Sequence, residues 1–166
     1  MEDEVVLRRY RPTDLQAIFE MDVICFSEPF RFDRRSMRRF SESSKAIAVV
    51  AERAAEDRSS GSLAGFVIVH TERTHRGRRG YVVTLDVSPA QRREGVAGRL
   101  MTEAEALARG AGVGRMELDV YVGNDGAIRF YEGRGYERIG VRPGFYGTAG
   151  GTSLDAYAYT KELKEM

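Results

Sequence analysis

The sequence predicts an α/β domain built on one mixed β-sheet, with about seven strands and four helices. Apolar or alternating runs typical of strands are separated by segments whose apolar residues recur every three to four positions, as in amphipathic helices. The run at 81–87 is followed at once by a helical segment and then by an alternating run at 115–122. A strand–helix–strand unit of this kind has a right-handed crossover and two parallel strands.

The N-terminal half contains strands and two helices. Thr13 or Asp14 can cap the first helix, because a short polar side chain there accepts a hydrogen bond from the first turn. Pro29 indicates a loop, and a short basic helix follows it. A charged loop joins two apolar strands into a hairpin, and a second basic loop at 73–80 precedes the next strand. The predicted elements are strands at 5–10, 46–51, 63–69 and 81–87, a helix with apolar positions Leu15, Ile18, Phe19 and Val23, and a helix at 34–40.

In the C-terminal half the period of the apolar residues changes from two to about 3.6. Gly110 and Gly112 end a long helix, and Asn124 and Gly135 bracket a shorter one. A glycine-rich stretch at 144–151 joins the last two strands. The predicted elements are helices at 96–108 and 124–134 and strands at 115–122, 136–141 and 154–161.

Composition excludes several classes of function. The 166 residues form one predicted domain, 1–166, with no repeat or linker. A single cysteine, Cys25, excludes an internal disulfide framework, and two histidines are too few for a histidine-based metal cage, so no metal is predicted. The acidic N-terminus lacks an apolar signal region and the longest apolar run, 63–69, is too short to span a membrane. A net charge of +1 does not indicate nucleic-acid binding. We therefore expect a cytoplasmic protein without membrane or direct nucleic-acid contacts.

The most informative segment follows a strand and opens a helix, and it reads Arg92-Arg93-Glu94-Gly95-Val96-Ala97. The unpaired N–H groups and the dipole of a helix N-terminus attract anions. Gly95 and Ala97 keep bulky side chains away from the backbone, and Arg92 and Arg93 add positive charge. The pattern fits a pyrophosphate cradle and equally a plain basic helix terminus. Dinucleotide-type Gly-x-Gly-x-x-Gly and a Walker lysine are absent from the sequence.

Two motifs then carry a family resemblance. Arg92-x-x-Gly95-x-Ala97, after a strand that ends Leu85-Asp86-Val87, resembles the acetyl-CoA-binding motif of the GNAT N-acetyltransferase superfamily. The family's second signature, N-x-x-A-x-x-x-Y-x-x-x-G-F, is matched by Asn124, Ala127, Tyr131, Gly135 and Tyr136, with Tyr136 in place of the usual Phe. The resemblance covers nearly the whole chain. It implies the GNAT fold, in which the central parallel strands splay apart for the cofactor.

Within the superfamily, the chain is most similar to the RimI-type Nα-acetyltransferases. Cys25-Phe26 with Pro29-Phe30 resembles a loop after the first helix, and Phe145-Tyr146 with Asp155-Ala156-Tyr157 resembles a segment that closes over the peptide. The resemblance implies acetyl transfer from acetyl-CoA to the α-amino group of a protein or peptide N-terminus, with a ribosomal protein left open as acceptor. It assigns acceptor contacts to Phe30, Tyr146 and Tyr157. Phe145, where many members have tyrosine, and a longer glycine-rich connection depart from the pattern.

The reaction needs a base and an acid. An α-amino group is mostly protonated at neutral pH, so a carboxylate must take its proton directly or through water. Asp119 is the candidate base, at a position where similar enzymes carry glutamate; Asp86, Glu117 and a water chain are the alternatives. The resemblance assigns to Tyr131 the role of acid for the leaving thiolate, and a core aromatic is its alternative role.

The remaining implied residues contact the co-substrate. Backbone groups of Leu85 and Val87 are expected to pair with the pantetheine amides, and one backbone N–H on this strand to bind the oxyanion. Asn124 is expected to contact the pantetheine arm, or to cap its helix, or both. The full set of predicted acetyl-CoA contacts is Leu85, Val87, Arg92, Arg93, Gly95, Val96, Ala97, Asn124 and Tyr131.

Other functions stay open at this stage. A GNAT enzyme acting on a small-molecule amine or a lysine side chain is one alternative. A non-catalytic GNAT module that binds acyl-CoA is another, although both Tyr131 and Gly95 are intact. RNA binding rests only on arginine runs without interleaved aromatics. The expected oligomeric state is a monomer or a homodimer.

Overall fold

The computed structural model describes residues 4–54, 62–92 and 94–164. The helices of these residues are α1 (Leu15–Cys25), α2 (Arg34–Glu42), α3 (Val96–Gly110) and α4 (Asp125–Gly133). The strands are β1 (Val5–Arg9), β2 (Ala46–Arg53), β3 (Leu63–Thr74), β4 (Gly77–Val87), β5 (Val113–Tyr121), β6 (Glu137–Arg142), β7 (Thr148–Ala149), β8 (Thr152–Ser153) and β9 (Ala156–Glu162). Seven strands form one mixed sheet in the order β1-β2-β3-β4-β5-β9-β6, and β7 and β8 form a separate small hairpin. The predicted fold class is confirmed.

Helices cover both faces of the sheet. On one face, Ile18 of α1 and Met37 of α2 pack against Phe66 and Ile68 of β3. On the other, the buried stripe of α3, which includes Leu100, packs against the opposite side of the same strands. Successive side chains of a strand point to opposite faces, so one continuous apolar strand supplies both cores. None of the helices described is long and apolar enough to cross a membrane.

The polar residues before the first two helices act differently from one another. Asp33 caps α2, since its Oδ1 accepts a hydrogen bond from Ser36 N at 2.7 Å. The predicted cap of α1 is wrong in detail, because the Asp14 side chain makes no capping bond to that helix. Its carboxylate instead accepts bonds from Arg8 at 2.8 Å and from Arg11 N at 2.7 Å. A guanidinium on the adjacent strand competes successfully with the helix terminus for this carboxylate.

The predicted basic loop at 73–80 is also wrong. β3 and β4 extend through it and meet at a tight turn, in which Gly77 has a φ of +99°. Arg79 forms ion pairs with Glu72 at 2.8 Å and with Glu117 at 2.6 Å. Cross-strand ion pairs therefore allow charged residues to continue the strands where a loop was expected.

The central parallel strands, β4 and β5, separate along their length. They pair from Arg78 to Tyr81 only, although β4 continues to Val87. Val83 is an extra residue in the ladder with β3, because Ile68 pairs with Thr84 and Val69 with Val82. A bulge of this kind bends a strand. The predicted splay is confirmed, and it leaves a gap between the C-terminal ends of β4 and β5.

Candidate active site

The start of α3 lies at the end of β4 and has the features of an anion cradle. Gly95 adopts a φ of +80°, and a Cβ added there would meet no atom within 4 Å. No side chain among the described residues caps the helix. Within the described ranges, the N–H groups of Val96 and Ala97 have no backbone partner, and N–H groups in the first turn of a helix can bind a phosphate. A groove of about 530 Å³, lined in part by Gly95, Arg99 and Arg134, opens beside this turn.

Two arginines were predicted here. Arg92 donates from its Nε to the backbone oxygen of Val87 at 3.3 Å, which holds its guanidinium at the end of β4. Arg93, the second predicted contact, lies outside the described residues.

The backbone of β4 faces the gap at the predicted positions. The Val87 carbonyl accepts hydrogen bonds from Arg92 and from the Cys25 thiol, the latter at 3.3 Å, so it points away from β3. N–H and C=O groups of one residue in an antiparallel pair point to the same side, and the pattern repeats every second residue. The polar groups of Leu85 and Val87 therefore face the gap, where they can pair with amides of a bound chain.

Tyr131 of α4 belongs to the core on the α3 side of the sheet and is 7% exposed. Its ring packs edge-on against Phe130 and Tyr136 at centroid distances of 5.1 and 5.5 Å. No group among the described residues forms a hydrogen bond with its hydroxyl. Burial and then the charge of Asp86 raise the pKa of Tyr131 above its ordinary value. The phenol therefore stays protonated at neutral pH, as an acid must.

Asn124 occupies the N-cap of α4. Its Oδ1 accepts a hydrogen bond from Ala127 N at 3.1 Å. The amide Nδ2 makes no bond within the part of the chain described. The structural role and the predicted contact with a co-substrate are thus compatible, because they use different atoms.

Both carboxylate oxygens of Asp119, on β5, accept hydrogen bonds from other side chains. Oδ2 accepts from the Tyr81 hydroxyl at 2.5 Å, and Oδ1 accepts from Arg142 Nε at 2.7 Å. Its side chain is only 4% exposed. Burial and the hydrogen bond to Asp119 raise the pKa of Tyr81 above its ordinary value, so Tyr81 remains a donor. A carboxylate has about four acceptor positions, and two of these remain for an amine or a water molecule.

The alternative bases are less suited to the role. Glu117 lies between Arg79 and Arg115 at 2.6 and 2.8 Å. Burial acts to raise the pKa of Glu117, but the hydrogen bonds from Arg115 and Arg79 lower it below its usual range. Asp86 is 1% exposed. Burial and the neighbouring Asp22 raise the pKa of Asp86 well above its usual range, so it holds a proton rather than accepting one.

An aromatic cluster stands beside Asp119. Phe30, from the loop after α1, lies 4.9 Å from the Tyr121 ring and 5.0 Å from the Tyr146 ring, between centroids. The Tyr146 hydroxyl donates to the Asp119 backbone oxygen at 3.3 Å. Burial and the charge of Asp119 raise the pKa of Tyr146 to about 12. The structure brings together two predicted acceptor contacts, Phe30 and Tyr146, and adds Tyr121.

Tyr157, the third predicted acceptor contact, does not join this cluster. It pairs across strands with Val120 and packs against the core on the α3 side. The guanidinium of Arg138 lies 3.6 Å from its ring centroid. Strand alternation places Ala156 and Ala158, rather than Tyr157, on the face that carries Asp119. The acceptor contact of Tyr157 therefore stays a prediction, separate from this cluster.

Two residues of the site were missed in the sequence. The sequence predicts Tyr81 only as the first residue of a strand, and it assigns no role to Arg142. Tyr81 contacts Asp119 from the neighbouring β4. Arg142 reaches it from β6, across β9, where Ala156 and Ala158 are small enough to leave room. No local spacing in the sequence predicts either contact. No group of three or more His, Cys, Asp or Glu side chains in the described ranges is placed to hold a metal ion.

Known proteins are similar to this chain in sequence. The N-alpha-acetyltransferase RimI of Mycobacterium tuberculosis is 31% identical over 105 residues, which are 63% of each protein. The N-terminal acetyltransferase B complex catalytic subunit naa20 of Schizosaccharomyces pombe is 26% identical over 156 residues, 94% of this chain and 84% of that protein. An uncharacterised Mycobacterium leprae protein is 41% identical over 83 residues, so the chain spans only 21% of its length.

A solved structure, Arabidopsis thaliana NAA60 in complex with a bisubstrate analogue, superposes with a TM-score of 0.83 at 22% identity, covering 98% of this chain and 100% of that one. At this identity the likeness shows the fold. The family model described as Acetyltransferase (GNAT) family matches residues 15–136, which include α1, the Gly95 cradle, Asp119 and Tyr131. The family expected from the sequence is confirmed, and the chain belongs to the GNAT acetyltransferase family.

Proposed function

We propose that the chain is an acetyl-CoA-dependent N-acetyltransferase that transfers the acetyl group directly to the α-amino group of a protein or peptide N-terminus. One observation carries the proposal. Tyr81 holds the carboxylate of Asp119 on β5, and burial and the charge of Asp86 on β4 raise the pKa of the Tyr131 phenol, so the proposal assigns these two groups to either side of the gap between β4 and β5. Amine attack on a thioester needs a proton acceptor on one side and a proton donor on the other.

The donor side of the gap fits acetyl-CoA. The open turn at Gly95 and the helix N-terminus suit a pyrophosphate, and Arg92 adds positive charge. The backbone groups of Leu85 and Val87 suit the amides of the pantetheine arm, and Asn124 Nδ2 is free to donate to it. In this proposal the thioester lies in the gap between β4 and β5.

The proton transfers can be followed atom by atom. Asp119 takes a proton from the bound ammonium through a water molecule, and the free amine attacks the thioester carbonyl carbon. The Val87 backbone N–H faces the gap and stabilises the developing oxyanion. As the new C–N bond forms, the nitrogen releases its second proton to a water molecule, which passes it to solvent. The C–S bond then breaks, and Tyr131 gives its phenolic proton to the leaving sulfur. Solvent then returns that proton to Tyr131.

The acceptor is assigned from the aromatic cluster and from the relatives. Phe30, Tyr121 and Tyr146 form an apolar wall with polar hydroxyl groups beside Asp119, which suits the first residues of a peptide. RimI and naa20 are named as N-terminal acetyltransferases. A ribosomal protein as acceptor, the cytoplasmic location and the monomer or homodimer state stay predictions.

The test combines binding with turnover. Acetyl-CoA is titrated calorimetrically into the purified protein, and pooled peptides are then added and examined by mass spectrometry. Each peptide is paired with a matched peptide whose α-amine is blocked and which contains an internal lysine. Free polyamines, amino acids and aminoglycosides complete the panel.

We expect acetyl-CoA to bind and only the peptides with free α-amines to be acetylated. Acetylation of the blocked peptides or of small amines would refute the choice of acceptor. Binding without any turnover would point to a non-catalytic acyl-CoA module. Failure of acetyl-CoA to bind would refute the donor.

A further inference from the structure

Two buried carboxyl groups meet beneath the gap and are not used in the proposed reaction. Asp22 lies near the end of α1, and Asp86 lies on β4 next to Val87. Their exposed fractions are 0% and 1%. Two buried carboxylates beside each other would be costly, because each charge is removed from water and repels the other.

Each carboxyl has one oxygen with a partner and one without. Asp22 Oδ2 accepts from Phe32 N at 2.8 Å, and Asp86 Oδ1 accepts from Thr84 Oγ1 at 2.5 Å. Asp22 Oδ1 and Asp86 Oδ2 are buried and meet no donor among the residues described. The Cys25 thiol, one helical turn after Asp22, donates to the oxygen of Val87, the residue next to Asp86, at 3.3 Å, so α1 sets Asp22 against this end of β4. In keeping with this contact, burial and the neighbouring Asp22 raise the pKa of Asp86. A proton on one carboxyl turns it into a donor and satisfies both remaining oxygens at once.

We propose that Asp22 and Asp86 share one proton and act as a positioning pair, which fixes the acceptor-facing loop at 26–33 against the acyl-binding edge of β4. The positioning role rests on the proposed function, whereas the shared proton does not.

The surroundings favour a retained proton. Cys25 of α1, Arg92 after β4 and Tyr131 of α4 face Asp86, together with Asp22. Burial and Asp22 raise the pKa of Asp86 well above its usual range, while Thr84 and the charge of Arg92 oppose this. Burial and Asp86 also raise the pKa of Cys25, so the thiol is neutral. With one proton shared, the pair places one negative charge rather than two near Tyr131, where a thiolate leaves.

The same pair holds the loop that carries Phe30. The loop leaves α1 at Phe26, whose N–H donates to the Asp22 backbone oxygen at 2.9 Å. It returns to the Asp22 side chain at Phe32, and between these two anchors Phe30 reaches Tyr121 and Tyr146. Loss of the second anchor is therefore expected to weaken acceptor binding without disturbing the acetyl-CoA cradle.

The first measurement detects the shared proton and needs no substrate. The folded protein holds a proton on the pair that the unfolded chain releases above about pH 4. Since the folded state binds more protons, stability falls as pH rises above that value. In Asp86→Asn the amide donates to Asp22 and accepts from Thr84, but it cannot titrate. We expect the Tm of this variant to rise relative to wild type between about pH 5 and pH 9. Parallel Tm curves over this range would overturn the shared proton.

The second measurement detects positioning. Asp22→Ala is expected to raise the peptide KM about three- to tenfold, the equivalent of one lost hydrogen bond, with kcat and the Kd of acetyl-CoA retained. Asp22→Asn keeps an oxygen for Phe32 N and is expected to restore the wild-type KM. Asp14→Asn is the control, because it alters a buried carboxyl bonded to Arg8 outside the site. A KM unchanged in Asp22→Ala, or raised equally in Asp14→Asn, would overturn the positioning role.

The two measurements distinguish failure of the proposed function from failure of the shared proton. A wild-type protein without turnover would refute the proposed function, while the Tm comparison would still decide whether the proton is shared. If Asp22→Ala does not fold, Asp22→Asn is compared instead with Asp22→Leu, which branches at the same carbon and has no acceptor.

Discussion

Replacing Asp119 with Asn tests the base most directly, because it removes the charge and keeps the shape. Asp119 accepts from Tyr81 at 2.5 Å and from Arg142 at 2.7 Å. An amide retains one acceptor oxygen, so one of the two bonds is lost. A hydrogen bond to a charged group contributes about 1.5–3 kcal/mol. The Arg142 side chain is 52% exposed, and water replaces much of its ion pair. We expect a loss of about 1–3 kcal/mol in the free energy of unfolding.

The activity is expected to fall further, and in a pH-dependent manner. A positioned general base contributes about 10²–10⁴-fold, so kcat/KM at pH 7 is expected to fall at least about 100-fold. With an α-amino pKa near 8, roughly a tenth of the peptide is free amine at pH 7 and roughly nine tenths at pH 9. The variant uses only amine that is already free. The ratio of the wild-type kcat/KM to that of the variant is therefore expected to fall about tenfold between pH 7 and pH 9.

The assay is kcat/KM for one peptide from pH 7 to pH 9, with unfolding measured on the same samples. Glu117→Gln is the matched control, since Glu117 lies on the same strand face and is bonded by Arg79 and Arg115. We expect it to lose stability while its pH profile follows wild type. A deficit in Asp119→Asn that is constant with pH, or one that Glu117→Gln shares, would refute the assignment of the base.

Two further predictions concern the acid and the cradle. Tyr131→Phe is expected to lower kcat about 100-fold or more while calorimetry shows an almost unchanged Kd for acetyl-CoA, since only the proton donor is lost; equal losses in both would argue against the acid. Gly95→Ala is expected to cost about 1–2 kcal/mol of stability from its positive φ and to weaken acetyl-CoA binding about tenfold, as its Cβ enters the cradle. Gly77→Ala has the same open space and positive φ at a distant turn, so it is expected to match the stability loss only; a similar Kd in both variants would contradict the cradle.

Much of the fold could be predicted because it is encoded locally. The apolar stripe of α3 and the alternation of β5 depend on residues a few positions apart, and the structure confirms both. Asp119 and Tyr131 could be proposed through the family resemblance, which matches them to a carboxylate position and to the tyrosine of the motif that begins at Asn124. Local rules failed where a distant partner competed, as when Arg8 drew the Asp14 carboxylate away from α1.

The contacts around Asp119 depended on strand order and register. Tyr81 is 38 residues away in sequence and becomes a neighbour only because β4 lies beside β5. Arg142 of β6 contacts Asp119 of β5 across β9, a strand that comes after Arg142 in the chain. Asp22 and Asp86 meet because α1 packs on the bulged end of β4.

The sequence by itself determined most of the helices and strands and the family, because periodicity and motif spacing are properties of neighbouring residues, and the family resemblance then suggested the acid and the base. Only the tertiary structure decided which side chains hold Asp119, which face Tyr157 occupies and that two carboxyl groups share a buried position. These features depend on the register between strands and on the packing of helices across them, and a shift of one residue in register would turn each side chain to the opposite face.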